Sequence, residues 1–143
     1  MKVVTPTNEL TGEALRDAYL CEVKGAMRCI DNHSVLTSEA SPHFHFEGDH
    51  NAVFGWESGC QYHTDIGLAM KELIEWCHAH GHDFYLSRRY RPYRKGGECE
   101  IRNQRRYENW RVAVGTSTAS DPTEHICEAI LRALLEAHRS RDD

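Results

Sequence analysis

Between Asp65 and His138 the spacing of apolar residues changes twice, and no single kind of secondary structure satisfies both spacings. Ile66, Met70, Leu73, Ile74 and Cys77 recur at three and four, which predicts a helix from Asp65 to about His80. Thr64 serves as its cap, Asp65 sits in the first turn, and Gly81 stops it. Next, Phe84 and Leu86, then Cys99 and Ile101, then Trp110, Val112 and Val114 recur at two, predicting strands over 83–88, 98–102 and 110–114. Ile126, Ala129, Ile130, Ala133, Leu134 and Ala137 return to helical spacing behind the capping-box run Asp121-Pro122-Thr123-Glu124. That helix is expected to end near His138, with 139–143 fraying.

Short strands joined by the turn-rich runs 91–97 and 103–109 predict a three-stranded antiparallel meander. Both helices are expected over the face carrying Phe84, Leu86, Cys99, Ile101, Val112 and Val114. Upstream, Thr11 caps a shorter helix whose stripe is Leu15, Ala18, Tyr19, Glu22 and Val23, ended by Gly25. Residues 31–59 carry no period and are rich in Ser and Gly around Phe44, Phe46, Phe54 and Trp56. A structureless run of that length is unusual in a compact domain, so a short hairpin of 43–46 with 52–55 is expected within it. The order is α-loop-α-β-β-β-α, with helices and strands segregated: an α+β fold, with no internal repeat evident. The expected organisation is a single domain over 1–143, with an N-terminal helix at 13–25, a long irregular segment at 31–61 and an α-β-β-β-α core at 62–138.

No run approaches the ~18 apolar residues of a membrane span, and Met1 to Glu9 holds no apolar stretch of a secretory signal. A cytoplasmic protein without membrane contact is therefore expected. The six cysteines, Cys21, Cys29, Cys60, Cys77, Cys99 and Cys127, include no CxxC pair. In a reducing compartment they read as small buried hydrophobes, with no disulfide.

Tyr62-His63-Thr64-Asp65-Ile66-Gly67-Leu68-Ala69 resembles the helix start of the phage ABA-sandwich domain family. The helix-strand-strand-strand-helix order that follows is similar, as is Trp110-Arg111-Val112 followed by a helix opened by Pro122. Leu15 to Gly25 resembles that family's short N-terminal helix. The resemblance implies a bacteriophage-encoded protein with a layered sandwich, in a family defined by fold and without a known reaction or catalytic residues. The long middle segment and the arginine-rich strand connections depart from the family pattern, and a specific function is expected there. The order is also similar to double-stranded-RNA-binding domains. The last helix here opens on Asp121, Glu124 and His125, where such a domain presents lysines to phosphate.

The net charge of −5 excludes a wholly basic surface and leaves room for a local patch. Between Arg88 and Arg111 stand nine of the 17 basic residues: Arg88, Arg89, Arg91, Arg94, Lys95, Arg102, Arg105, Arg106 and Arg111. Only Glu98, Glu100 and Glu108 oppose them, and Tyr90, Tyr93, Tyr107 and Trp110 are interleaved. Guanidinium forks hold phosphate oxygens and aromatic faces stack on bases, so the segment suits a nucleotide or a nucleic acid. The expected ligand contacts are Arg88, Arg89, Tyr90, Arg91, Tyr93, Arg94 and Lys95, with Arg105 and Arg106 as a second wall; Arg94 and Lys95 are expected to lie in a turn. The competing reading pairs these cations with acids on a helix or on another subunit, in a homo-oligomer or other assembly.

Ten histidines include the pairs His43/His45 and Cys60/His63 and the run Cys77, His78, His80, His82. None has the spacing of a standard zinc module, and no Walker loop, GxGxxG, HExxH or nucleophile elbow occurs. No metal, no cofactor and no catalysis are expected. The functional expectation is a binding protein that holds an anionic ligand, such as a host-defence nucleotide, without turnover.

Overall fold

The computed structural model describes residues 5–29, 43–46, 53–56, 59–91, 94–103, 111–117 and 122–141. Three helices, α1 (Gly12–Lys24), α2 (Ile66–His80) and α3 (Pro122–Arg141), accompany six strands. The strands are β1 (Ala26–Cys29), β2 (His43–Phe46), β3 (Val53–Trp56), β4 (His82–Arg91), β5 (Arg94–Asn103) and β6 (Arg111–Ser117). Two antiparallel sheets result, in the orders β1-β2-β3 and β4-β5-β6. The fold is α+β, and the expected meander is the second sheet.

The first sheet corrects the reading of 31–61 as irregular. The expected hairpin is present as β2 against β3, with His43 opposite Trp56 and Phe44 opposite Gly55. β1, which carries no alternation in its four residues Ala-Met-Arg-Cys, adds to its other edge. The chain thus runs helix-strand-strand-strand twice before α3, a repetition of element order that the sequence does not display. Each of the first two helices ends on a left-handed glycine, Gly25 at φ 71° and Gly81 at φ 69°. A left-handed residue is what lets the next residue start a strand, and a side chain there would strain the turn.

In the second sheet β5 is central, and the register places Phe84 opposite Ile101 and Leu86 opposite Cys99. Cys99 and Ile101 are fully buried, and Phe84 is half-buried. Leu86 is exposed, which corrects its assignment to the core. A further correction concerns β6. A register shift near Ile101 sets Ala113 opposite Ile101 and Gly115 opposite Cys99, so Ala113, Gly115 and Ser117 face α3. Val112 and Val114 lie in the other phase and are half-buried.

The reason for this phase is the closeness of α3. A Cβ built on Gly115 would sit inside the contact distance of the Ala129 carbonyl oxygen and the Ala133 nitrogen. Only small residues fit such an approach, so volume overrides hydrophobicity in choosing the buried face of β6. Ala129, Ile130, Leu131, Ala133, Leu134, Leu135 and Ala137 of α3 are all buried.

α3 also carries a row of polar side chains at intervals of four. Arg132 is buried, and its guanidinium donates to the carbonyls of Thr7 (3.2 Å), Leu10 (2.8 Å) and Thr116 (2.5 Å). Glu128 accepts from Ser117 Oγ and from the Gly12 backbone nitrogen, each at 2.9 Å. This carboxylate serves the first turn of α1, where Thr11 stands at the cap position without a side-chain bond. Glu136 accepts from Thr7 Oγ1 at 2.8 Å. Arg139, expected to fray, holds Glu22 through two nitrogens (2.9 and 2.8 Å) and the Thr5 carbonyl at 2.7 Å, and the helix continues to Arg141.

α2 has the expected extent with two adjustments. Asp65, not Thr64, is its cap, accepting from the Leu68 nitrogen at 3.2 Å. Its buried side is Ala69, Glu72, Leu73, Trp76 and Cys77, while Ile66 and Ile74 point outward. Asp121, the expected cap of α3, lies outside the described residues.

Two outcomes follow from the seating of α3. Gly115→Ala should lose about 3 kcal/mol or more in urea denaturation, the upper part of the overpacking range, because backbone rather than a side-chain tip blocks the added methyl. Arg132→Met should lose about 3–5 kcal/mol, because Glu128 is left buried without its counter-charge. An unchanged urea midpoint in either variant would contradict the close approach or the clamp, respectively.

Candidate functional site

β4 and β5 form a ten-rung ladder from His82↔Asn103 to Arg91↔Arg94. Arg94, Lys95, Gly96 and Gly97 are therefore paired strand, which corrects their expected place in a turn. Tyr93, Arg105 and Arg106 lie outside the described residues. The regular register separates the remaining six positions by phase. Positions 89, 91 and 94 share the phase of Tyr85, Ser87, Glu98 and Glu100; positions 88, 90 and 95 share that of Phe84, Leu86 and Cys99. The basic segment is thus one hairpin with cations at positions of both faces.

The Tyr85 phase is the face turned away from α3, and it carries a defined cluster. Arg102 Nε donates to Glu100 Oε1 at 2.5 Å, and its guanidinium carbon lies 4.0 Å from the Tyr85 ring centroid. The bond to Glu100 raises the Arg102 pKa further, so the cation over the ring is permanent. Glu100 is buried, while Tyr85 remains 51% exposed. The exposed tyrosine is thus braced by a guanidinium that is itself anchored.

At the start of β4 an open cleft of about 550 Å³ separates the strand from α2. Ile74, Cys77 and His78 line one side, and His82, Asp83 and Tyr85 the other. Behind it His80 stacks on Trp76 at 4.1 Å between centroids, its Nδ1 bonded to the Trp76 carbonyl oxygen, and lies nearly parallel to His82 at 6.2 Å. This ring stack accounts for the clustering of histidines at the helix end. Burial pushes the Cys77 thiol up to about 11, with Asp83 adding to it, and burial pushes Cys99 up to about 12. Neither is a thiolate near neutral pH, so neither supplies a nucleophile. Among the described residues, no group of three or more His, Cys, Asp or Glu side chains is placed to hold a metal ion. His43 and His45 are buried in β2, their rings 5.9 Å apart, with Trp56 5.9 Å from His43. Cys60, Cys77, Cys99 and Cys127 are buried and Cys21 is exposed.

Sequence spacing did not reveal the charged groups inside the fold. Glu72 is buried on α2, ion-paired with Lys24 at 3.2 Å, and accepts hydrogen bonds from Tyr19 and Tyr62. Burial first, and then Glu72, raises both phenols well above their ordinary value. Arg16 is fully buried, bonded to Asp17 at 2.9 Å and 5.2 Å from the Phe44 ring centroid. Burial, reinforced by Arg16, lowers the pKa of His63, against smaller opposing effects of Glu13, Glu124 and Asp17. The periodicity of α1 held a hint, since Arg16 falls one position after Leu15 and three before Tyr19 on the buried side.

No helix among the described residues is long and apolar enough to cross a membrane. No protein-family model, curated protein or solved structure matches the chain.

The lowered pKa of His63 fixes a sign for pH dependence. Above about pH 6.5 the imidazole is neutral in folded and unfolded chains alike. Below it the unfolded chain takes up the proton first, so stability falls as pH drops from there towards the lowered folded value. His63→Gln should therefore lose less melting temperature than wild type between about pH 7.5 and pH 5.5. Equal losses in the two proteins would contradict this.

Proposed function

We propose that the protein binds an anionic, phosphate-bearing ligand, a nucleotide or a nucleic acid, along the β4–β5 hairpin and releases it unchanged. The observation that carries this reading is the composition of the last four rungs: Arg88↔Gly97, Arg89↔Gly96, Tyr90↔Lys95 and Arg91↔Arg94. They hold five cationic residues and no acid, in a chain of net charge −5. Like charges placed directly opposite, as at Arg91↔Arg94, disfavour strand pairing unless an anion lies between them. The glycines opposite Arg88 and Arg89 add no side chain to compete for that anion. Absence of turnover accords with buried thiols whose pKa values are raised rather than lowered.

The resemblance of Tyr62–Ala69 and of the elements after it to the phage ABA-sandwich family supports a phage-encoded, cytoplasmic, layered-sandwich protein. Capture of a nucleotide used in host defence needs only a binding site. The alternative is an assembly role in which the same cations meet acids of another subunit. It draws on β4 being a sheet edge with one side unpaired within the sheet.

Calorimetry against mono-, di- and cyclic nucleotides and short oligonucleotides, at two salt concentrations, tests the reading. Wild type should bind at least one class with steep salt dependence. Arg89→Ala with Arg91→Ala should weaken it and flatten the salt slope by about 1.4 for a single strand, about 0.7 per contact. A wild type that binds none of them, or a double variant that binds equally well, overturns the reading. Mass that rises with protein concentration, without ligand affinity, would favour assembly.

A further inference from the structure

We infer that the hairpin's ligand is a single-stranded oligonucleotide, one base of which stacks on the exposed ring of Tyr85 while its phosphates run on to the arginines. This deepens, and rests on, the phosphate-binding reading above.

Tyr85 is a large aromatic residue left half in solvent on the sheet. Its position is nonetheless fixed, because Arg102 lies 4.0 Å from the ring centroid and is tethered to buried Glu100. A braced, exposed ring loses little freedom when a second flat group covers it. Arg102 belongs to the rung of Asp83, two rungs before Tyr85 and in the same phase. On the other side the next position in phase is Ser87, small and exposed. Space for a stacking partner therefore lies on the side facing the hairpin tip.

Charge orders the rungs in the same way. Tyr85 pairs with Glu100 and Ser87, the next position in phase, pairs with Glu98, so this part of the face carries acids and disfavours phosphate. An uncharged base suits that position. The next positions in phase, 89 and 91, are arginines, and 94 is another. Base-binding and phosphate-binding rungs thus follow one another along a single face.

Length separates the ligand classes. At about 3.3 Å per residue, position 89 lies ~13 Å from position 85 and position 91 ~20 Å. A nucleoside monophosphate carries a single phosphate within one nucleotide of its base and cannot serve both positions at once. At a rise of about 3.4 Å per nucleotide, ~13 Å corresponds to about four stacked nucleotides and ~20 Å to about six. A polyphosphate has the charge and lacks the ring.

Fluorescence anisotropy with a labelled deoxyadenosine hexamer tests this, with an abasic hexamer of equal charge and unlabelled adenosine monophosphate as competitors. The hexamer should bind. The abasic strand and Tyr85→Leu should each weaken binding about 5- to 150-fold, the cost of one lost base stack, with the salt slope unchanged. Tyr85→Phe, which keeps the ring, should bind within about twofold of wild type, and adenosine monophosphate should compete poorly. Suppose instead that Tyr85→Leu or the abasic strand binds like its parent while Arg89→Ala with Arg91→Ala loses affinity. The stacking inference is then overturned and the phosphate reading stands. If wild type binds neither strand nor any nucleotide, both fall.

Discussion

The α3 backbone lies so near Gly115 of β6 that no side chain fits between them, and much of the arrangement depends on that approach. Two backbones meeting without side chains between them restrict the facing positions to Ala113, Gly115, Ser117, Ala129 and Ala133. That restriction turns β6 so that its valines look the other way. It also brings the polar row Glu128, Arg132 and Glu136 against the N-terminal segment and the end of β6, where the row finds backbone carbonyls, one amide and two hydroxyls. Buried charges are tolerated only when satisfied in this way, and here their partners are spread over three regions of the chain.

The same geometry positions the candidate site. α3 packs on β5 and β6, and α2 packs on β4. β4 is an edge strand with a cleft at its start and a hairpin at its end. The face turned from α3 bears Tyr85, Arg102 and Glu100, a polar and aromatic surface on a sheet whose other face is core. The proposed stacking face and the face packed on α3 are thus opposite sides of one strand layer.

Much of the fold was legible in the sequence because hydrophobic spacing reports burial. The three helices, the meander and the hairpin of β2 and β3 all follow from period and turn chemistry. What spacing misreported has definite physical causes. Val112 and Val114 outrank Ala113 and Gly115 in hydrophobicity, but room beneath α3 decided the phase. Ile66 and Ile74 fit a helical stripe, yet Trp76 and the Tyr19–Glu72–Tyr62 group take up the buried side of α2. Arg132 reads as a surface residue until the carbonyls of Thr7, Leu10 and Thr116 are seen around it. β1 is too short to show alternation. Of the basic segment, composition revealed the cations but not their pairing, since Arg94-Lys95-Gly96-Gly97 has the residues of a turn and the register of a strand. Tyr85 went unnoticed because its significance lies in a cross-strand neighbour, Arg102, that local spacing does not bring near it.

Both sheets are built from strands adjacent in sequence, and each can form as soon as its own hairpins close. The bonds from the N-terminal segment to the far end of the chain, Thr7 to Glu136, Gly12 to Glu128 and Thr5 to Arg139, run through α3. During synthesis the two meanders therefore leave the ribosome before the element that covers them. For the time that α3 is still in the exit tunnel, Cys99, Ile101 and Ala113 lack its cover and the carbonyls of Thr7, Leu10 and Thr116 lack Arg132. The nascent chain carries that exposed face until α3 docks, and a pause in translation just before Pro122 would lengthen the interval in which the sheet is open to association with other chains.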